Sequence, residues 1–161
     1  MTARVNIARA QSTGPAHGLS AALIGMAFIL SASAAVAGSV EIAVTGVAAA
    51  RGHVRVELCT RTTFLTKTCP YQGVATATVG STVVKIAEVP PGEYAVQAFQ
   101  DETDQGVVHQ NLLGIPKERI GFSNDAPLHA KGPRFADAAF TVGKHMQHVT
   151  LRLRKLFGFL G

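Results

Sequence analysis

Acidic residues are missing from the first 40 positions, where Arg4 and Arg9 are the only charged side chains. Behind them an apolar run, Leu19 to Leu30, gives way to alanine and serine, and Ala35-Val36-Ala37 precedes Gly38. That small-x-small ending fits the pattern a signal peptidase cuts. It predicts a signal peptide over residues 1–37, cleaved between Ala37 and Gly38. A retained anchor is the competing reading, since the stretch is just long enough to span a bilayer, but its second half carries little hydrophobic drive. The expectation is a periplasmic or secreted protein with no stable membrane span after cleavage. No cysteine adjoins the cleavage site, which argues against a lipid anchor.

Cysteine is scarce too. Cys59 and Cys69 are the only two, in the segment LCTRTTFLTKTC. Their spacing is not C-x-x-C, and no third thiol or nearby histidine completes a zinc set. In an oxidising compartment a lone pair this close forms a structural disulfide. Excess charge is also lacking. The net charge of +5 includes the two leader arginines, so the remainder is only mildly basic and gives no case for nucleic-acid binding.

Residues 38–161 have the length of one domain, enough to build a core without many staples. They show no helical period. Short runs alternate with period two instead. Val40, Ile42 and Val44 oppose Glu41, Ala43 and Thr45 within Ser39–Val47, and Val54, Val56 and Leu58 oppose His53, Arg55 and Glu57 within Gly52–Cys59. Further runs cover 74–79, 82–89, 93–100, 135–142 and 148–156, broken by Gly80-Ser81 and Pro90-Pro91-Gly92. Without crossover helices the seven runs predict an all-β, antiparallel β-sandwich of about seven strands. One long loop, 101–134, interrupts the pattern. Its apolar residues Leu112, Leu113, Ile115, Ile120 and Phe122 predict an ordered, self-packing excursion rather than a linker. The apolar tail LFGFL, from Leu156 to Leu160, is expected to cover a sheet edge or to form a small patch for a partner.

Several blocks resemble one family of exported bacterial proteins, domain of unknown function 2141. They are Pro90-Pro91-Gly92-Glu93-Tyr94-Ala95-Val96 with Phe99 and Asp101-Glu102, then Leu113-Gly114-Ile115-Pro116-Lys117-Glu118, Gly121-Phe122-Ser123-Asn124 and Gly132-Pro133-Arg134-Phe135. The resemblance implies a secreted single-domain β-sandwich of unknown activity. The PPG-x-Y-x-V stretch is also similar to a turn and strand of transthyretin-like and carboxypeptidase-regulatory-like sandwiches. Fold alone implies no function.

Asp101-Glu102-Thr103-Asp104-Gln105-Gly106 is the sharpest candidate for chemistry. Calcium loops alternate oxygen-bearing residues and turn at a glycine in the sixth position, because the hard ion needs six to eight oxygens. Here Asp101, Thr103, Asp104 and Gln105 are the metal candidates, against the plainer reading of Asp101 capping its own backbone in an Asx turn. His145 and His148, beside Met146, form a pair that soft copper can use, with His109 and His129 in the long loop as further ligands. Ser123 lacks a nucleophile elbow, and no carboxylate pair is recognisable among Glu118, Asp125 and Asp137. The leading expectation is a non-enzymatic binding or structural module without a cofactor. Its partner is an unidentified protein or cell-envelope ligand, met by the long loop through Glu118, Ser123, Asn124 and Asp125. The alternative is a small periplasmic metal-binding protein or metal-dependent enzyme using the Asp101 loop and nearby histidines.

Overall fold

A computed structural model of the chain describes residues 37–66, 68–112, 114–129 and 132–156. The expected signal peptide up to Val36, Leu113 and residues 157–161 lie outside these residues. The described residues form an all-β fold of two mostly antiparallel sheets. The first sheet has the order β4-β1-β8, from strands Gly38–Val47 (β1), Gly80–Val89 (β4) and Gln147–Arg152 (β8). The second has the order β3-β2-β5-β6-β9, from His53–Cys59 (β2), Tyr71–Thr76 (β3), Gly92–Asp101 (β5), Arg119–Phe122 (β6) and Arg154–Lys155 (β9). Phe140–Val142 (β7) pairs with the start of β5.

The alternating residues do what their period requires. Val40, Ile42 and Val44 of β1, Val54, Val56 and Leu58 of β2, and Tyr94, Val96 and Ala98 of β5 all point between the sheets into one core. Full burial of side chains of this size contributes roughly 1.5–3 kcal/mol each before entropy is charged against it. The turn before β5 is closed by Tyr94, whose hydroxyl donates to the Pro90 carbonyl at 3.1 Å. Glycine leaves room at position 92, where a Cβ would come 3.1 Å from the Tyr94 ring. Burial is the first cause that raises the Tyr94 pKa, followed by the neighbouring Tyr71, whose ring packs edge-on 5.9 Å away. On the same inner face Gln100 is 1% exposed yet fully used. Its side chain accepts from the Ala48 N–H and donates to the Ala49 carbonyl, fixing the β1–β2 turn.

Four features depart from the sequence expectation. First, β1 and β8 pair in parallel, Ile42 opposite Val149 and Val44 opposite Leu151. No crossover helix is needed, because nearly the whole fold lies between the two strands. Second, the stretch 101–134 contains a strand: β6 pairs with β5, Phe99 opposite Ile120 and Gln97 opposite Phe122. Its Gly121 is required by close approach, since a Cβ would lie 2.6 Å from the Arg152 carbonyl oxygen. Third, Phe135–Ala138 is one turn of helix (α1) rather than strand, with Arg134 bridging Asp137 through two hydrogen bonds of 2.8 and 2.9 Å. Fourth, β3 begins at Tyr71 and ends at Thr76, earlier than the expected 74–79, because Tyr71 pairs with Leu58 directly after the cysteine loop.

A second, smaller core sits on the outer face of the β2–β5–β6 region. Ala95, Phe122, Ala126, Phe135 and Ala138 are buried there, with Phe64 and Ile120 packed against them. Phe64 meets the rings of Phe122 and Phe135 edge-on at 5.9 and 5.7 Å. β5 is therefore covered on both faces, which is why its residues from Tyr94 to Asp101 are buried almost without alternation. The last strand also changes sheets. After β8 pairs with β1, the Leu153 N–H bonds the Thr45 carbonyl and β9 passes to β6.

Candidate functional site

The outer face of the second sheet carries two loops on either side of β5. On one side lies the cysteine loop, closed by the Cys59–Cys69 disulfide with an S–S distance of 2.06 Å. Gln97 of β5 anchors that loop from below. Its side-chain oxygen accepts from the Leu65 N–H at 3.0 Å, and its amide nitrogen donates to the Thr66 carbonyl at 3.0 Å and to the Glu57 carboxylate. The anchor holds Leu65 at φ 62°, in the left-handed region that a leucine rarely adopts.

On the other side the chain leaves β5 through Asp101, whose carboxylate is 2% exposed. It accepts from Arg55 Nε at 2.6 Å, from the Gly106 N–H at 2.7 Å and from the Gln105 N–H at 3.1 Å. Burial pushes the Asp101 pKa up, but the two backbone amides and the Arg55 guanidinium outweigh it and hold the carboxyl below its ordinary value. Asp104 turns away to pair with His53 Nδ1 at 2.5 Å. Both Asp101 oxygens thus face nitrogen donors, one of them cationic. Gln105 presents its N–H to the carboxylate rather than an oxygen to an ion. In this geometry the Asp101 carboxylate is engaged by nitrogen donors and caps the N–H groups of Gln105 and Gly106, four and five residues on, while Asp104 is turned to His53.

Beyond Gly106 the backbone is pinned by its own bonds. The Lys117 N–H donates to the His109 carbonyl at 2.8 Å, and the Asn111 N–H to the Ile115 carbonyl at 2.9 Å. Glu118 accepts from the His109 backbone and pairs with its ring, both at 2.8 Å.

Between the two loops runs a groove of about 330 Å³. Its floor is Glu57 of β2, Gln97 and Phe99 of β5, and Ile120 and Phe122 of β6, all on one face of the sheet. Leu65 and Thr66 wall one side and Val107, Val108 and Pro116 the other. Leu65, Val107 and Val108 remain 46%, 48% and 37% exposed, so three large aliphatic side chains meet solvent at one concavity. The size lies within the range of small-molecule pockets. Among the lining residues Glu57 is the single ionisable side chain.

The residues expected to meet a partner are placed differently from one another. Ser123 is fully buried; its hydroxyl accepts from the Val96 N–H at 2.9 Å and donates to the Ala138 carbonyl at 2.5 Å. It joins β5 to α1 and presents nothing outward, which corrects its place among the surface candidates. Asn124, at φ 57°, donates to the Ala139 carbonyl. Asp125 accepts from the Arg152 N–H at 2.8 Å, and Glu118 is committed to His109. These four do not converge on the groove. Of the apolar anchors, Phe122 is buried, Ile120 and Ile115 are half-buried, and Leu112 is fully exposed, against expectation.

The histidines are dispersed. His148 pairs with Glu41 at 3.2 Å, and His129 lies 3.4 Å from Asp137. Among the described residues the one group of three potential ligands brings Glu57 to Cys59 and Cys69, whose sulfurs are spent in the disulfide. Among the described residues no helix is long and apolar enough to cross a membrane.

Residues 42–150 match the family model described as "Uncharacterized protein conserved in bacteria (DUF2141)". No curated protein matches the chain. Two structures of a pilus-presented adhesin (Cpa) are similar at 15% and 16% identity, with TM-scores of 0.30 and 0.25. They align with 76% and 74% of this chain, and the chain spans 28% of the adhesin in each case.

Proposed function

The chain belongs to the bacterial DUF2141 family, and from that premise we propose that it is an exported, non-enzymatic binding module whose ligand lies in the groove between the cysteine loop and residues 106–118. One observation carries the reading: an open apolar concavity on a hydrogen-bonded sheet, with Leu65, Val107 and Val108 exposed at its rim. Aliphatic side chains gathered at one concavity, rather than scattered singly, are the kind of surface that ligand grooves present. The strained Leu65 adds to this, since strain held in place by a dedicated anchor such as Gln97 is a mark of functional segments. A floor with one carboxylate, already bonded to Gln97, and two phenylalanines supports binding of an apolar ligand.

Export is supported by the disulfide, which belongs to oxidising compartments, and by the leader pattern. Cleavage before Gly38 would leave β1 whole, since that strand starts at Gly38. The mass of the protein recovered from the exported fraction tests this half; retention of residues 1–37 refutes it.

The binding half is tested by ligand-observed NMR screening of small fragments against wild-type protein and Val108→Trp, in which an indole fills the groove. Groove ligands should lose their signal with the variant. An identical set of hits on both proteins, or none on the wild type, removes the reading.

A further inference from the structure

We propose that the groove selects a small apolar molecule bearing one cationic nitrogen, held by the Glu57 carboxylate. The proposal rests on the groove being a ligand site and adds the chemical class of the ligand. Glu57 stands on β2 directly opposite Gln97 of β5, at the floor between the two walls. Gln97 donates to its Oε2, and Oε1 has no partner among the described residues. The basic residue on the same face of that strand, Arg55, pairs through Nε with Asp101 at 2.6 Å rather than with Glu57. The groove therefore offers one half-buried carboxylate oxygen with no cation assigned to it, surrounded by Leu65, Phe99, Val107, Val108, Ile120 and Phe122.

Such a surface discriminates by charge and by shape together. An aromatic or branched hydrocarbon displaces water from the aliphatic walls, which is favourable for any ligand of that shape. An ammonium adds a charge-assisted hydrogen bond to Glu57, about twice as strong as a neutral one. A neutral alcohol of the same shape makes only the weaker bond, and a carboxylate meets a like charge. Gln97 positions the acceptor, its donor group on Oε2 fixing the carboxylate at the groove floor. The net basic charge of the chain does not supply this selectivity, because it would favour anions; the local carboxylate opposes it.

Tryptamine, tryptophol and indole-3-acetate differ at one terminal group and share the indole. The chain has no tryptophan, so the anisotropy of the indole itself reports binding without background. Tryptamine should bind about tenfold more tightly than tryptophol, with indole-3-acetate weakest, and Glu57→Gln should bring tryptamine to the level of tryptophol. Gln keeps the side-chain volume and a hydrogen bond to Gln97, and the wild-type ratio of amine to alcohol stands independently of any variant. Equal affinity of all three probes for the wild type, or an undiminished preference for amine in Glu57→Gln, overturns the chemical class while leaving the groove as a ligand site. Binding of none of the three overturns both.

Discussion

Asp101→Asn tests whether the turn leading into the groove is held by charge. The wild-type carboxylate is 2% exposed and takes three hydrogen bonds, while its partner Arg55 is 28% exposed. Asparagine keeps the shape but replaces one acceptor with a donor, which must face Arg55 Nε or a backbone N–H. Breaking a buried charge pair from one side costs about 3–5 kcal/mol, and Arg55 recovers part of this by hydration, so the loss should be about 2–4 kcal/mol. The pH dependence follows from the lowered pKa of Asp101. A carboxyl whose folded value lies below its unfolded one, about 3.9, stabilises fully above that value and loses its contribution as pH falls through the folded value. Glu41 and Asp137 are lowered as well, by Lys85 and Arg134 first, but both proteins share them and they cancel in the difference. Urea denaturation at pH 7 and at successively lower pH measures it. The midpoint should drop with an unchanged slope at pH 7, and the gap between the proteins should narrow below about pH 4. A loss under about 0.5 kcal/mol at pH 7, or a gap independent of pH, would refute the reasoning.

Three further outcomes are expected. Calcium at millimolar concentration should leave the wild-type thermal midpoint unchanged, because Asp101 is occupied by nitrogen donors; a midpoint rising with calcium would show the turn opening to take the ion. Replacing Cys59 and Cys69 together with alanine should cost about 2–3 kcal/mol of unfolding free energy without abolishing the fold, since the main core lies on the other face of β2; free thiols in denatured, unreduced wild type would show the bond absent. Ser123→Ala should cost about 1–3 kcal/mol, because it strands the buried Val96 N–H and Ala138 carbonyl; a neutral effect in denaturation would contradict the role given to the hydroxyl.

β1, β2 and β4 were legible because each keeps one face wetter than the other. Val40, Ile42 and Val44, or Val54, Val56 and Leu58, announce themselves by period two. β6 was not legible: Arg119-Ile120-Gly121-Phe122 is four residues long, and its glycine, which looks like a breaker, is a response to the Arg152 carbonyl across the sandwich. α1 was hidden for the opposite reason, since Phe135 and Ala138 are apolar and only the Arg134–Asp137 bridge marks a turn of helix. The parallel pairing of β1 with β8 joins residues about a hundred positions apart, and no local pattern encodes it.

The Asp101 turn was half legible. Acid and glycine at positions 101 and 106 predict a tight reversal whether an ion or a backbone N–H fills it, and Arg55, which pairs with the acid, lies 46 residues away. The groove was not found at all, because Glu57, Leu65, Gln97, Val107 and Ile120 come from five separate segments. One signal was available. Val107-Val108 follows a turn glycine in a polar stretch with no alternation to bury the pair, whereas Leu112, taken as an anchor by hydrophobicity alone, stands fully in solvent.

The central claim is that the face between the cysteine loop and residues 106–118 is where this module holds its ligand. A backbone amide shift map recorded as tryptamine is added to wild-type protein addresses it directly. The account predicts saturating shifts concentrated at Glu57, Leu65, Thr66, Gln97, Phe99, Val107 and Ile120. Shifts that are absent, scattered, or centred on the outer face of β4 and β8 around Val83 and His148 would contradict it.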